Sequence, residues 1–344
     1  MNSQSKDAPP HADAASSLAE RQENSAGRGF VHLGRRLLVP AVLGLLVLVG
    51  LALVADAQEL LEHLKAFDLA LLGPILVLSL TNYVLRFGRW ETYLRALDVR
   101  LPLGSSLGIF LVGFVLSITP GKAGELGKAW LARELGGGAA RRTVAVVVAE
   151  RITDLLGMVL LMGLGALTLP NGLWVAVACL VLSTTAIVVL SWSRGFRWLL
   201  GQLHRIPRLG SHVDLLIEIY EHLLTLLRPS LLVLALVISC LAWGAEAIGF
   251  VIVARSYGAD FPWLTGVFDY AFSSLLGALT MLPGGLVASE GALTALLDFQ
   301  GLDTAAAASA TVIIRAATLW FAVLLGLLAL PYVFRQLRLR DRKV

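Results

Sequence analysis

The sequence predicts an all-α protein that crosses a membrane several times, with about six transmembrane helices and two re-entrant helical hairpins in an inverted repeat. Hydrophobic residues make up 57% of the 344 residues and charged residues 15%, and the mean hydropathy is +0.78. A soluble domain of this length carries far more charged surface. Several apolar runs reach the about 20 residues that a helix needs to cross a hydrocarbon core about 30 Å thick. Two of the apolar runs also end in a proline–glycine break.

Six apolar runs predict transmembrane helices. They occupy residues 37–54, 69–85, 143–169, 173–191, 231–253 and 305–332. Two further runs, 101–118 and 263–282, lead into Pro120-Gly121 and Pro283-Gly284-Gly285. Proline removes a backbone donor and glycine weakens a helix, so each pair predicts a break. We therefore expect these two runs to enter the membrane and return.

The distribution of charge predicts the orientation, because basic residues in short loops mark the cytoplasmic side. Basic residues precede the first run, occupy the intervals 86–100, 128–142 and 194–208, and end the chain. The interval after the first run is acidic. This pattern predicts a multi-pass protein of the inner membrane with both termini in the cytoplasm. An amphipathic helix at 213–227 is expected at the inner interface.

One basic interval is expected to be a loop at the inner surface. It contains Arg86, Arg89, Arg95 and Arg100. Such arginines attract anionic lipid, at about 1 kcal/mol each. A role in topology alone explains them equally well.

The sequence predicts one membrane domain between two tails. Residues 1–28 hold almost no large apolar side chains, which predicts a disordered cytoplasmic tail. A signal peptide is not expected, because the apolar run that follows is too long and lacks a cleavage site. Residues 29–335 are predicted to form a single transmembrane domain, and residues 336–344 a basic cytoplasmic tail.

The transmembrane domain contains a repeat of the order span, dip, span. Half A covers residues 69–169 and half B residues 231–332. In each half a Pro-Gly break is followed by a glutamate, Glu125 or Glu290, and an arginine lies 31 or 32 residues after the proline. The charge rule makes the first dip open from the cytoplasm and the second from outside. Inverted repeats with broken helices are typical of alternating-access carriers; the alternative is a coincidental pair of kinks.

Charged residues at membrane depth are costly and usually mark a pathway or a partner. The predicted ligand-binding residues are Arg86, Lys122, Glu125, Lys128, Arg151, Asp154, Glu290 and Arg315. The predicted breaks are Pro120, Gly121, Gly124, Pro283, Gly284 and Gly285. Glu150 and Glu246 are possible coupling residues. No histidine or cysteine spacing predicts a metal site.

Two interpretations of the charged residues stay open. In the first, Lys122, Arg151 and Arg315 bind a lipid phosphate, together with the N–H groups at the starts of the two half-helices. In the second, the pairs Glu125–Arg151 and Glu290–Arg315 are salt bridges that hold each hairpin to its neighbouring span. Arg151 also lies three residues before Asp154, so the two side chains are within reach on one helix. Glu246 stands alone in its span, either as a proton site or as the partner of a nearby group.

The motifs that carry a family resemblance occur in order along the chain. They are Arg86-Phe87-Gly88-Arg89-Trp90, Gly113-Phe114, Pro120 to Leu126, Glu150 to Leu156, Pro283-Gly284-Gly285, Glu290-Gly291-Ala292 and Arg315. They resemble the lysylphosphatidylglycerol synthase transmembrane, or flippase-like, family over about residues 35–335. The second break has no lysine in the place of Lys122.

The resemblance implies a role in lipid handling. In that family the membrane portion of the multiple peptide resistance factor moves aminoacylated phosphatidylglycerol between leaflets, and other members are associated with polyprenyl-linked sugars or hopanoids. We expect the soluble aminoacyl-transfer domain of the bifunctional members to be absent, because the chain ends about ten residues after its last span.

The expected function is therefore a transporter, not an enzyme, that moves a lipid with an anionic head group between leaflets. No cofactor and no nucleic acid are expected, and a cell-envelope lipid-synthesis enzyme is a possible partner. Two alternatives remain, a membrane-embedded lipid or polyprenyl-sugar transferase and a non-transporting partner of a lipid synthase. The identity of the lipid, the energy source and the oligomeric state stay open at this stage.

Overall fold

A computed structural model describes residues 57–203 and 210–341, and all regular structure in these ranges is helical. The predicted tail 1–28 and the predicted run 37–54 lie outside the described residues. The first part contains α1 (Ala57–Ala66), α2 (Leu72–Ala96), α3 (Leu103–Leu116), α4 (Gly127–Glu134) and α5 (Ala140–Ala166). Between α3 and α4 lies the first break, the 3-10 segment Pro120–Leu126.

The chain continues through three connecting helices into a second set. The connecting helices are α6 (Gly172–Ser191), α7 (Ser193–Leu203) and α8 (Gly210–Leu226). The second set is α9 (Pro229–Ser256), α10 (Trp263–Leu279), α11 (Ala288–Phe299), α12 (Thr304–Arg315) and α13 (Phe321–Asp341). The second break, Pro283–Gly285, separates α10 from α11, and a π-helical segment, Ala316–Trp320, joins α12 to α13.

Within the described residues, four helical stretches are long and apolar enough to cross a membrane. They are Leu69–Ala96, Gly172–Ser191, Pro229–Ser256 and Thr304–Arg340. Each coincides with one of the predicted spans, which makes the chain a multi-pass membrane protein. Helix α5 has 27 residues, but three charged side chains interrupt its apolar sequence. The exact number of crossings stays a prediction.

Helix α6 shows why the exterior suits lipid. Its sequence is apolar all round, and large side chains such as Leu173, Trp174 and Val188 are exposed. A soluble protein does not leave a whole apolar helix in water, because the hydrophobic effect opposes it. In a bilayer the same side chains contact hydrocarbon.

Helices α2 and α9 pack against one another and run in opposite directions. Gly249 of α9 faces Ile75 near the start of α2. Further along α2, the Asn82 side-chain amide donates to the carbonyl of Ala242, at 2.9 Å. Residue numbers thus rise along α2 while they fall along α9, so the first spans of the two predicted halves are antiparallel.

In the remaining contacts, a helix of each half packs on a helix of the other half. Helix α3 packs on α13, and α10 packs on α5. Gly108 lies against Val333, and Gly326 lies against the carbonyl of Leu111, so α3 and α13 are also antiparallel. The broken run of each half therefore packs on the long helix of the other half.

One predicted boundary differs from the structure, and one predicted surface helix is partly buried. Helix α2 extends to Ala96, so Arg86, Arg89 and Arg95 lie inside a helix and not in the predicted loop. The apolar pattern ends at Arg86, but the helix continues because all three arginines have acidic partners within the protein. A helix forms over the stretch where the amphipathic helix was expected, α8, but Tyr220 and Leu223 are buried because α8 packs on α5.

The close approach of α3 and α13 generates a stability prediction. A Cβ atom on Gly326 would lie 2.6 Å from the Leu111 carbonyl oxygen, whereas one on Gly244 of α9 would have no neighbour within 4 Å. We expect Gly326→Ala to reduce stability by about 1–3 kcal/mol, the usual cost of overpacking. Thermal unfolding in detergent would measure it, with Gly244→Ala as the matched control. Equal midpoints for the two variants would contradict the packing.

Candidate functional site

A cavity of about 280 Å³ lies between the two sets of helices, where the two breaks contact each other. It is bounded by both breaks, the π-helical segment and residues of α2, α3, α4, α5, α9, α10, α11, α12 and α13. Its basic lining residues are Arg86, Lys122, Lys128, Arg151 and Arg315. Its acidic lining residues are Glu125, Asp154 and Glu246. Basic side chains are therefore in excess, and residues from both predicted halves supply them.

The first break is shaped by Thr119 and Gly124. The Thr119 hydroxyl donates to the carbonyl of Leu116 at 2.9 Å and accepts the Gly124 N–H at 2.6 Å. A Cβ at residue 124 would collide with the Leu116 carbonyl, so only glycine fits this close turn. Lys122 has a φ of +55°, a left-handed conformation that a lysine rarely adopts. The break thus turns the chain at the cavity wall and presents Lys122 there.

The second break is built from glycines in the same conformational region. Gly284 and Gly285 have φ values of +64° and +70°, which glycine adopts without steric cost. The Arg315 guanidinium donates to the carbonyl of Gly284 at 3.0 Å. This bond ties the break to the end of α12.

Asp154 is the centre of the ion pairs beside the first break. Its carboxylate lies 2.8 Å from Arg89, 3.1 Å from Arg151 and 3.6 Å from Arg86. The Arg89 side chain is only 1% exposed, and it also donates to the hydroxyls of Thr153 and Ser239. A buried guanidinium of this kind requires a counter-charge. Asp154 supplies it and leaves Arg86 and Arg151 at the cavity wall.

Lys128 forms a second buried group with two glutamates. Its Nζ atom lies 2.7 Å from Glu150 and 3.9 Å from Glu125. It also lies 4.5 Å from the centre of the Trp90 ring, a cation–π distance. Glu150 is fully buried behind Lys128 and does not line the cavity.

Both ion pairs of the structural interpretation are present. Arg151 lies 3.4 Å from Glu125, and Arg315 lies 2.5 Å from Glu290. The first pair joins Glu125, within the first break, to α5, and the second joins Glu290, in the first turn of α11, to the last residue of α12. Their presence does not decide between the two interpretations, since Arg151 and Arg315 also line the cavity. Lys122 forms no ion pair with a residue in the described ranges.

Glu246 has a partner that the sequence does not suggest. It lies in α9, and its Oε2 atom accepts a hydrogen bond of 2.7 Å from the Tyr270 hydroxyl of α10. Both residues line the cavity. Of the two sequence alternatives, a neighbouring partner is thus present, while a proton-binding role stays a prediction.

Aromatic side chains complete the wall around Arg86. Its guanidinium lies 5.7 Å from the Phe114 ring and 5.6 Å from the Trp243 ring. The Tyr83 hydroxyl donates to the carbonyl of Thr318, at 2.6 Å, within the π-helical segment. Segments of this kind are frequent at functional sites. This one directly follows Arg315 and turns Thr318 toward the cavity.

Most of the predicted site residues come together in one place. Seven of the eight predicted ligand-binding residues line the cavity, and Glu290 lies behind it as the partner of Arg315. Sequence reasoning missed the roles of Arg89, Tyr270 and Trp243. Arg89 occurs in the same motif as Arg86, so the motif itself was the available signal. Whether these residues bind a ligand stays a prediction.

Comparisons with known proteins identify membrane-protein relatives. Residues 41–326 match the family model described as the lysylphosphatidylglycerol synthase TM region. A UPF0104 membrane protein of Methanothermobacter thermautotrophicus is 24% identical over 318 residues, which are 85% of this chain and 94% of that protein. A UPF0104 membrane protein of Pyrococcus horikoshii is 23% identical over 316 residues, 82% of this chain and 94% of that protein.

The ion pairs around Asp154 generate a second stability prediction. Asp154→Asn keeps the shape of the side chain but leaves Arg89 buried without a counter-charge. We expect a loss of about 3–5 kcal/mol, the usual cost of breaking a buried pair. Glu218→Gln is the matched control, because it breaks an exposed pair with Arg141 worth about 0–1 kcal/mol. Thermal unfolding in detergent measures both, and an Asp154→Asn midpoint equal to that of the control would contradict the assignment.

Proposed function

The chain belongs to the lysylphosphatidylglycerol synthase transmembrane region family, and we propose that it is a transporter that moves a lipid with an anionic head group between the leaflets of the inner membrane. The observation that carries the proposal is the cavity at the meeting point of the two breaks. Five basic side chains against three acidic ones line it. When the buried partners Arg89, Glu150 and Glu290 are included, six basic groups stand against five acidic ones, and a net positive charge remains. Among apolar helices this charge attracts an anion because little water screens it there.

The size of the cavity suits a head group. Its volume of about 280 Å³ is about twice that of an engineered cavity of about 150 Å³ that binds benzene. A phosphate with part of its glycerol or sugar fits such a space, whereas two acyl chains do not. In the proposed mechanism the head group enters the cavity and the acyl chains stay in the bilayer.

Unpaired donors on the cavity residues support an anionic ligand. Arg86 Nε, Arg151 Nε and Trp243 Nε1 are buried and have no acceptor within the part of the chain that the structure describes. Buried donors without acceptors cost free energy. Phosphate oxygens would supply acceptors, and a small movement of these side chains toward the ligand would complete the bonds.

The lengths of the broken helices support two re-entrant hairpins. Helices α3, α4 and α11 have 14, 8 and 12 residues, which correspond to about 21, 12 and 18 Å. None reaches the about 30 Å of a hydrocarbon core. A path that enters the membrane, turns at the break and returns accommodates these lengths.

The antiparallel packing of α2 on α9 supports an inverted repeat. These helices are the first spans of half A and half B, and a repeat whose corresponding helices run in opposite directions is inverted. Each broken run also packs on the long helix of the other half. Carriers with this architecture alternate by moving one repeat against the other around a central site. We propose the same movement here.

Transport is preferred to catalysis in this proposal because the charged groups of the cavity are engaged mainly with one another. A lipid or polyprenyl-sugar transferase and a non-transporting partner of a lipid synthase are the other two outcomes of the tests.

We place both termini in the cytoplasm, on the strength of the basic residues at both ends of the membrane domain. A cell-envelope lipid-synthesis enzyme is the proposed source or acceptor of the lipid.

Leaflet exchange in proteoliposomes tests the transport proposal. We expect acceleration for fluorescent phosphatidylglycerol or for a labelled polyprenyl phosphate, and a smaller effect on a labelled neutral glycolipid. Arg315→Gln and Arg151→Gln are expected to reduce the rate about tenfold or more, because each removes a positive charge from the cavity. Arg133→Gln is the matched control, since Arg133 is exposed and pairs with its neighbour Glu134.

The outcome that contradicts transport is the absence of acceleration for both anionic probes with folded protein. Acceleration of all three lipids to the same extent would contradict selectivity for an anionic head group. Turnover of a polyprenyl-linked sugar in the same vesicles would favour the transferase instead.

Cysteine labelling tests the inverted orientation. We expect cysteines at Ala139, after α4, and at Phe299, at the end of α11, to be labelled from opposite sides by a membrane-impermeant reagent. Both positions are exposed, Phe299 by 86%. The free cysteines Cys179 and Cys240 are first replaced by alanine. Labelling of both positions from the same side would contradict the inverted repeat.

A further inference from the structure

Glu246 differs from the other carboxylates that line the cavity. Glu125 contacts Arg151 and Lys128, and Asp154 contacts three arginines. Glu246 forms no ion pair with any lysine or arginine in the described ranges, and its hydrogen-bond partner is the Tyr270 hydroxyl. It is 5% exposed and lies in the middle of α9. An acidic side chain at membrane depth is thus held by a neutral group.

The charged and titratable groups around Glu246 come from four packed helices. They are Tyr83 and Arg86 of α2, Asp154 of α5, Tyr270 of α10 and Arg315 of α12. Both arginines have other partners, because Arg86 lies beside Asp154 and Arg315 contacts Glu290. Neither arginine is therefore dedicated to Glu246. No dedicated counter-charge for Glu246 remains among these groups.

We propose that Glu246 binds a proton together with the lipid anion, so that the protein is a proton–lipid symporter. This inference rests on the proposed transport function and adds its energy source. The site consists of the Glu246 carboxylate, the Tyr270 hydroxyl and the cavity beside them. Its ligand is a proton.

The coupling follows from the charge of the cavity. When Glu246 is ionised, five basic side chains face three acidic ones; when it is protonated, they face two. Protonation therefore strengthens the attraction for an anionic head group. By thermodynamic linkage, the bound anion strengthens proton binding by the same factor. Affinity for the lipid consequently falls as the pH rises through the titration of Glu246.

Tyr270 keeps the proton exchangeable. Its hydroxyl donates to the ionised carboxylate and so favours the charged form. Without this bond an acidic side chain at membrane depth would hold its proton more firmly, because burial opposes the charged form. Tyr270→Phe should therefore shift the pH dependence of lipid binding upward by about one unit.

The coupling also predicts the direction of net transport. A phosphate monoanion and a proton that cross together carry no net charge, so the membrane potential does not oppose their movement. A proton gradient then drives the lipid away from the leaflet on the acidic side. With an acidic exterior, as bacteria maintain across the inner membrane, net movement is from the outer to the inner leaflet.

Calorimetry provides the binding test. Dihexanoyl phosphatidylglycerol is titrated into the full chain in detergent, at several pH values and in two buffers of different ionisation enthalpy. We expect an affinity loss of about tenfold as the pH rises, within the usual range for coupled sites. For one titrating group this corresponds to an uptake that reaches about half a proton per lipid at the midpoint of the titration. Glu246→Gln should take up no proton and keep the high affinity at every pH. Glu218→Gln, outside the cavity, is the matched control and should behave like the unmodified protein.

A transport assay separates this inference from the function on which it rests. In proteoliposomes with an imposed pH gradient, fluorescent phosphatidylglycerol should leave the leaflet on the acidic side, and Glu246→Gln should abolish the effect of the gradient. Exchange that is unaffected by the gradient overturns proton coupling and leaves transport intact. Proton uptake by Glu246→Gln equal to that of the unmodified protein also overturns the coupling. If no anionic probe exchanges at all, both proposals fall together.

Discussion

The carboxylate of Asp154, in contact with three guanidinium groups, is the interaction on which the cavity depends. Arg86 and Arg89 belong to α2, and Arg151 belongs to the same helix as Asp154. Cations within apolar helices are tolerated when a counter-charge compensates their lost hydration. Asp154 provides that compensation and joins α2 to α5. Because it is shared among three arginines, it holds them in place without cancelling their charge, and the wall that α2 and α5 form stays positive.

The two halves share a plan but not their electrostatics. Around the first break the chain places Lys122, Lys128 and Arg151, together with acidic partners. Around the second break the corresponding charged residues are Glu290 and Arg315, and the pair holds the break through the carbonyl of Gly284. Most of the cavity's charge therefore comes from half A. Half B contributes the glycines that allow the close approach, the π-helical segment and Tyr270. A head group bound here would be held mainly by half A while half B moves against it.

The helical class, the two breaks and most of the cavity residues could be predicted from the sequence, because each leaves a local signal. Apolar runs indicate membrane spans, Pro-Gly pairs indicate helix breaks, and charged residues within apolar runs indicate buried polar sites. Arg89 and Tyr270 were missed because their partners, Asp154 and Glu246, are distant in the sequence and no local pattern connects them. The end of α2 was misplaced for the same reason, since a helix continues past an arginine when a remote carboxylate compensates it. The π-helical segment leaves no periodic signal in a stretch of two alanines, a threonine, a leucine and a tryptophan.

The burial of Arg89 against Asp154 also constrains how the protein is made. Asp154 follows Arg89 by 65 residues, so at about 5–20 residues per second the ribosome supplies the partner about 3–13 s after the arginine. Insertion of an arginine at the centre of a helix costs about 2.5–3.5 kcal/mol on scales measured with the translocon. Helix α2, which has Arg86 and Arg89 before its last turn, is therefore poorly disposed to enter the bilayer alone. We therefore expect its stable integration to wait for α5, so that the early helices leave the insertion machinery as a group and not one at a time.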